Sequence, residues 1–114
     1  MIETYKERRW LEKRKHILCR DKYLDKYLYQ YGKFKSADIV HHIFPKNDFP
    51  EYQWEDWNLI SVSKETHNLL HDRNTDRLTL KGEELLVRTA RRNNIDIPYW
   101  YLQDRKGKKY EYRY

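Results

Sequence analysis

Apolar and aromatic residues recur at roughly helical spacing between residues 3 and 28. They are Tyr5, Trp10, Leu11, Ile17, Leu18, Tyr23, Leu24, Tyr27 and Leu28, with Lys, Arg and Glu between them. One apolar stripe on a charged segment predicts an amphipathic helix. Its exposed face mixes both signs of charge and gains support from i, i+4 pairs. A break near Asp21 is expected, and Gly32 ends the element, since glycine leaves a helix at least cost. The period then changes. Ala37 to Ile43 is rich in β-branched residues and predicts a short strand, stopped at Phe44-Pro45 because proline cannot continue a ladder. Residues 46–57 have no period and predict a loop, with Trp54 and Trp57 as its anchors to the core. Such long aperiodic loops are often functional. Asn58 to Val62 predicts a second strand. Ser63 is a good N-cap, with Glu65 in the first turn, for a helix running to about Arg73 with Leu69 and Leu70 inward. Gly82 to Asn93 predicts another helix, its core side formed by Leu85, Leu86, Val87 and Ala90. After Pro98, the aromatic runs Tyr99–Leu102 and Tyr110–Tyr114 flank a basic turn at Gly107 and predict a β-hairpin.

These elements define an α+β chain with helices on both sides of a strand–loop–strand–helix centre. The chain has 114 residues and no repeat, linker or low-complexity segment, which suits a single domain. Its parts are a helical arm at 1–35, the centre at 37–73, and a helix and tail at 77–114.

Composition narrows the classes. Charged residues make up 37% and mean hydropathy is −1.18, so no stretch approaches the ~20 apolar residues of a membrane span. The first residues show no apolar signal-peptide region. Cys19 is the one cysteine, which excludes an internal disulfide and suits a cytoplasmic protein. Net charge is +6 with 16% aromatic residues, a balance that fits a polyanionic partner. The charge is also divided. Residues 1–35 hold eleven Lys/Arg against five acids, residues 36–76 three against eight, and residues 77–114 ten against five. Two basic arms therefore flank an acidic centre. The arms fit phosphate neutralisation, and the centre fits a cation.

The candidate chemistry lies in that centre. Four of the five histidines stand at positions 41, 42, 67 and 71, with Asn58 between the pairs. On a strand, His41 and His42 point to opposite sides; on a helix, His67 and His71 share a face. Ligands would thus come from a strand and a helix, leaving one histidine for proton transfer.

The order Val40-His41-His42-Ile43-Phe44-Pro45, then Trp57-Asn58-Leu59-Ile60, then Thr66-His67-Asn68-Leu69-Leu70-His71 resembles the HNH endonucleases and their ββα-metal (His-Me finger) motif. The stretch Arg14…Ile17-Leu18-Cys19-Arg20-Asp21 is similar to the lead-in of small bacteriophage members. The resemblance implies that His42 is the general base. Asn58 would orient that base or tie the loop to the strand. His41, His67 and His71 would hold one divalent metal ion (Mg, Mn, Zn, Ni or Co). It further implies a 5′ phosphate and a 3′ hydroxyl as products, and a role in genome packaging beside a terminase large subunit and portal, the protein acting as monomer or dimer. Arg8, Arg9, Arg14, Lys15, Arg20, Arg73, Arg91 and Arg92 are candidates for DNA phosphates. Many family members carry a structural zinc on two Cys-x-x-Cys pairs. Those slots fall here on Leu24 with Tyr27 and Ser63 with Thr66, so no structural zinc is expected and packing should provide the staple. Two other readings compete: a four-histidine zinc module that binds DNA without cutting, and an accessory that stimulates a partner nuclease. His42 discriminates them, since a free base must not be a fourth ligand.

Overall fold

The computed structural model describes residues 4–103. Helices α1 (Tyr5–Arg20) and α2 (Lys26–Tyr29) lead into strand β1 (Ile39–His42). Strand β2 (Leu59–Val62) and helix α3 (Lys64–Leu70) follow, then two-residue strands β3 (His71–Asp72) and β4 (Arg77–Leu78), helix α4 (Leu80–Arg92) and helix α5 (Tyr99–Gln103). β1 and β2 pair antiparallel, with His41 opposite Ile60 and His42 opposite Leu59. The α+β class and the order strand, loop, strand, helix are as expected. Among the described residues, no helix is long and apolar enough to cross a membrane.

The predicted break in the first helical segment falls at Asp21. Lys22 and Tyr23 both adopt left-handed backbone (φ 57° and 56°). The Tyr23 amide donates back to the Leu18 carbonyl at 2.8 Å, which closes the helix end. The chain re-enters a helix at Asp25, whose carboxylate accepts the Leu28 amide at 2.9 Å. Ile17 and Leu18 of α1 pack on Val40 and Leu59 of the sheet. A larger core joins Phe44 and Val62 to Leu70 of α3 and to Leu85, Leu86 and Ala90 of α4. Fully burying each such aliphatic side chain contributes about 1.5–3 kcal/mol.

The expected packing is present, with Tyr27 buried in the larger core and Trp57 against it, and a polar staple adds to it. The buried Asp25 carboxylate accepts from both the amide and the hydroxyl of Ser63, each at 2.8 Å. The Ser63 hydroxyl also lies 3.2 Å from that of Thr66. Asp21 accepts the Ser61 amide at 3.1 Å. Two carboxylates of the α1–α2 connection thus satisfy alternate amides along and just beyond β2, an edge otherwise open to mispairing.

Three boundaries differ from the sequence expectation. α3 ends at Leu70, not Arg73, because the chain is drawn into a hairpin in which His71 pairs with Leu78 and Asp72 with Arg77. Gly82 of α4 permits the close approach behind this: a Cβ there would stand 2.1 Å from the Leu70 carbonyl oxygen. α4 itself starts at Leu80, capped by Thr79. Residues 99–103 form a helix, not the first strand of a hairpin. Its start is set by Pro98, whose carbonyl accepts the Tyr101 amide at 3.0 Å. Tyr101 packs on Phe49 with ring centroids 5.0 Å apart. The turn and second strand of that expected hairpin lie outside the described residues.

The 46–57 segment is a loop with short 3-10 turns at Pro50–Tyr52 and Asp56–Asn58. Phe49 is buried, and Tyr52 and Trp57 pack against the core beside it. Trp57 is the anchor it was expected to be. Trp54 is not: its ring meets Trp10 (centroids 6.2 Å apart) and the Arg9 guanidinium, 4.1 Å away.

Candidate active site

Alternation along β1 separates the two adjacent histidines. His41 is buried and His42 half-buried. α3 brings His67 to His41, with ring centroids 5.6 Å apart. His71 stands on extended backbone just past the helix end, a correction to the expected helical pair. Its ring still stacks on His67, centroids 5.6 Å apart and planes within 12°. His41, His42, His67 and His71 all line one cavity of about 250 Å³, together with Lys46, Asp48 and Asp76.

Burial pushes the His41 imidazole down to about 3, and the neighbouring His67, His42 and His71 rings push in the same direction. Burial, then His71, also lowers His67. Both rings are therefore neutral at pH 7, the state in which imidazole binds a metal. His41 Nε2 is buried with no hydrogen-bond partner among the described residues, and an orphaned buried nitrogen is costly unless something binds it. Among the described residues no group of three or more His, Cys, Asp or Glu side chains is placed to hold a metal ion as it stands. The ring separations nevertheless lie within reach of one ion at nitrogen–metal bonds of about 2.0–2.1 Å. The residues present thus fit a divalent ion held by His41 and His67, with His71 adjacent. His71 also has a carboxylate partner, Asp76, at 3.3 Å. Sequence reasoning missed Asp76, although the turn composition Asn74-Thr75-Asp76 was the available signal.

His42 faces a different environment. Its Nε2 lies 3.2 Å from the Gln53 carbonyl, and a carbonyl can only accept, so Nε2 carries the proton and Nδ1 keeps its lone pair. Burial lowers the His42 pKa, the Gln53 bond opposes this, and the Lys46 charge lowers it further. The ring stacks on Trp10, centroids 5.1 Å apart and planes at 22°. It is a neutral imidazole clamped in place.

Asn58 does not touch His42. Its Oδ1 accepts the Phe44 amide at 2.7 Å, and Nδ2 donates to the carbonyls of Phe44 (3.2 Å) and Tyr52 (3.1 Å). Of its two implied roles, the geometry is that of the loop tie. Asn58 thus bonds the loop and not the imidazole, the second of the two roles expected of it.

The DNA-contact candidates divide. Arg14 donates to the Asp38 carbonyl. Arg20 donates to the carbonyls of Asp56 (2.8 Å) and Leu59 (2.7 Å) and pairs with Asp21. Both serve as internal braces, because α1 packs directly on the sheet. Arg9 covers Trp54. Arg8, Lys15, Arg73, Arg91 and Arg92 are exposed. His16, read as surface, is exposed and pairs with Asp56 at 3.3 Å.

Two strands, an intervening loop and a helix that converge histidines on one cavity define a ββα-metal arrangement. No family model matches the chain and no curated protein matches it. A solved structure does: the HNH endonuclease of deep-sea thermophilic bacteriophage GVE2, with manganese ion, is 31% identical over 56% of this chain and 70% of that one, with a TM-score of 0.54. The chain belongs to the HNH endonuclease family.

Proposed function

We propose that the chain is a metal-dependent DNA endonuclease that hydrolyses one phosphodiester bond per encounter, nicking with little base specificity. The observation that carries this reading is the split between adjacent histidines: His41 buried with a partnerless Nε2, His42 neutral and fixed by Gln53. One suits a ligand and the other a base. The manganese of the phage neighbour supports a divalent ion on His41 and His67, with His71 completing the set. Such an ion, when bound, would stabilise charge on the phosphate and on the leaving oxygen. His42 Nδ1 takes a proton from water as that oxygen attacks phosphorus. The bond to the 3′ oxygen breaks and that oxygen takes a proton from solvent, leaving a 5′ phosphate and a 3′ hydroxyl. Asn58 keeps the loop carrying Gln53 tied to the strand, so the base stays aimed. Exposed Arg8, Lys15, Arg73 and Arg92 position DNA through its phosphates. The bacteriophage neighbour also motivates a phage origin and a place in genome packaging beside a terminase.

Plasmid nicking over a panel of divalent ions tests the reading. His42→Ala should lower the rate by about 10²–10⁴-fold while metal still binds by calorimetry. His41→Ala should weaken metal binding itself. A His42→Ala chain that nicks at the wild-type rate would overturn the assignment.

A further inference from the structure

His42 and Lys46 form a wall between two cavities. One is the histidine cavity. The other, about 270 Å³, is lined by Trp10, Trp54, His42, Lys6 and Lys46, with Glu7 the single acid among the described residues at its margin. Three aromatic rings and two lysines therefore line one space. Trp54 belongs to neither hydrophobic core cluster, and the loop is already anchored by Phe49, Tyr52, Trp57 and the Asn58 ties. Its own contacts are with Trp10 and the Arg9 guanidinium, at the rim of this cavity and not in the core.

Planar π surfaces with flanking cations are the chemistry that holds a nucleotide: bases stack on aromatic rings, and lysines meet the phosphates. We propose that this second cavity is a nucleobase subsite, taking the unstacked base of a nucleotide next to the phosphate in the histidine cavity. This rests on the endonuclease reading and adds a substrate preference to it. Extracting a base costs least where the strand is already unpaired. The chain therefore favours single-stranded or locally opened DNA over intact duplex, and shows little preference among the four bases, since each has a stacking face.

Tryptophan fluorescence of the full chain in EDTA, where no cleavage occurs, measures this directly. The probes are a short oligodeoxythymidylate and an abasic oligomer of equal length. The base-bearing strand should quench the emission and bind about tenfold tighter. Trp54→Ala should bind both strands alike, and Trp54→Phe should restore most of the difference, with circular dichroism confirming the fold of each. Wild-type nicking is assayed in parallel with manganese. Equal affinity of the wild type for both oligomers, with nicking intact, overturns the subsite alone. Failure to nick with any divalent ion overturns the endonuclease reading and the subsite with it.

Discussion

Asn58 makes three hydrogen bonds, all to backbone and all within the loop that follows β1. Asn58→Ala would take the Asn58 bonds from the buried Phe44 amide and carbonyl, while the Tyr52 carbonyl keeps the Glu55 amide. It should cost about 2–3 kcal/mol of stability, read as a lower denaturation midpoint. It should also slow nicking more than metal binding, because Gln53 sits on the freed loop and holds His42. His41 and His42 carry the same lesson. Their identity and spacing were legible in the sequence, as was their opposite orientation. The partner that fixes His42 was not, since Gln53 contributes only its carbonyl and any residue has one. Trp10 packs against the smaller core, as its place on the helical stripe implied, but its stacking on His42 was not legible.

At the scale of elements, the connection between α1 and α2 holds the motif together. Asp25 is buried, and burial works to raise its pKa. Hydrogen bonds from Thr66, Ser63 and Leu28 outweigh this and leave it below the ordinary value of 3.8. A depressed folded-state pKa means that the carboxylate stabilises the protein fully above the unfolded value, and that this contribution is lost as pH falls through the folded one. Asp25→Asn should therefore destabilise the chain by about 1.5–3 kcal/mol at pH 7. It should also flatten the fall in melting temperature between pH 5 and pH 2, measured by thermal melts across that range. Elements with a long period were readable: α1 with its break, both strands of the sheet, and α4. The β3–β4 hairpin was not, because two-residue strands carry no period. The end of α3 was also hidden, being set by a glycine twelve residues further on.

Across the whole chain, the three charge blocks read from the sequence remain meaningful, but their members divide between roles. Arg14 and Arg20 brace the sheet, while Arg8, Lys15, Arg73 and Arg92 are exposed. About four phosphate contacts should make DNA affinity fall roughly 100-fold between 50 and 200 mM salt, as filter binding at several salt concentrations would show. The candidate site was readable as a set of residues, and its geometry was not: His71 reaches His67 from a strand, and Asp76 joins through a turn. The Asp25–Ser63 bonds tie the α1–α2 connection to the start of α3 without any histidine. Scaffold and reactivity thus draw on different chemistry. A chelator should silence the enzyme while its melting curve stays close to that of the untreated chain, and returning manganese should switch cutting back on without any refolding step.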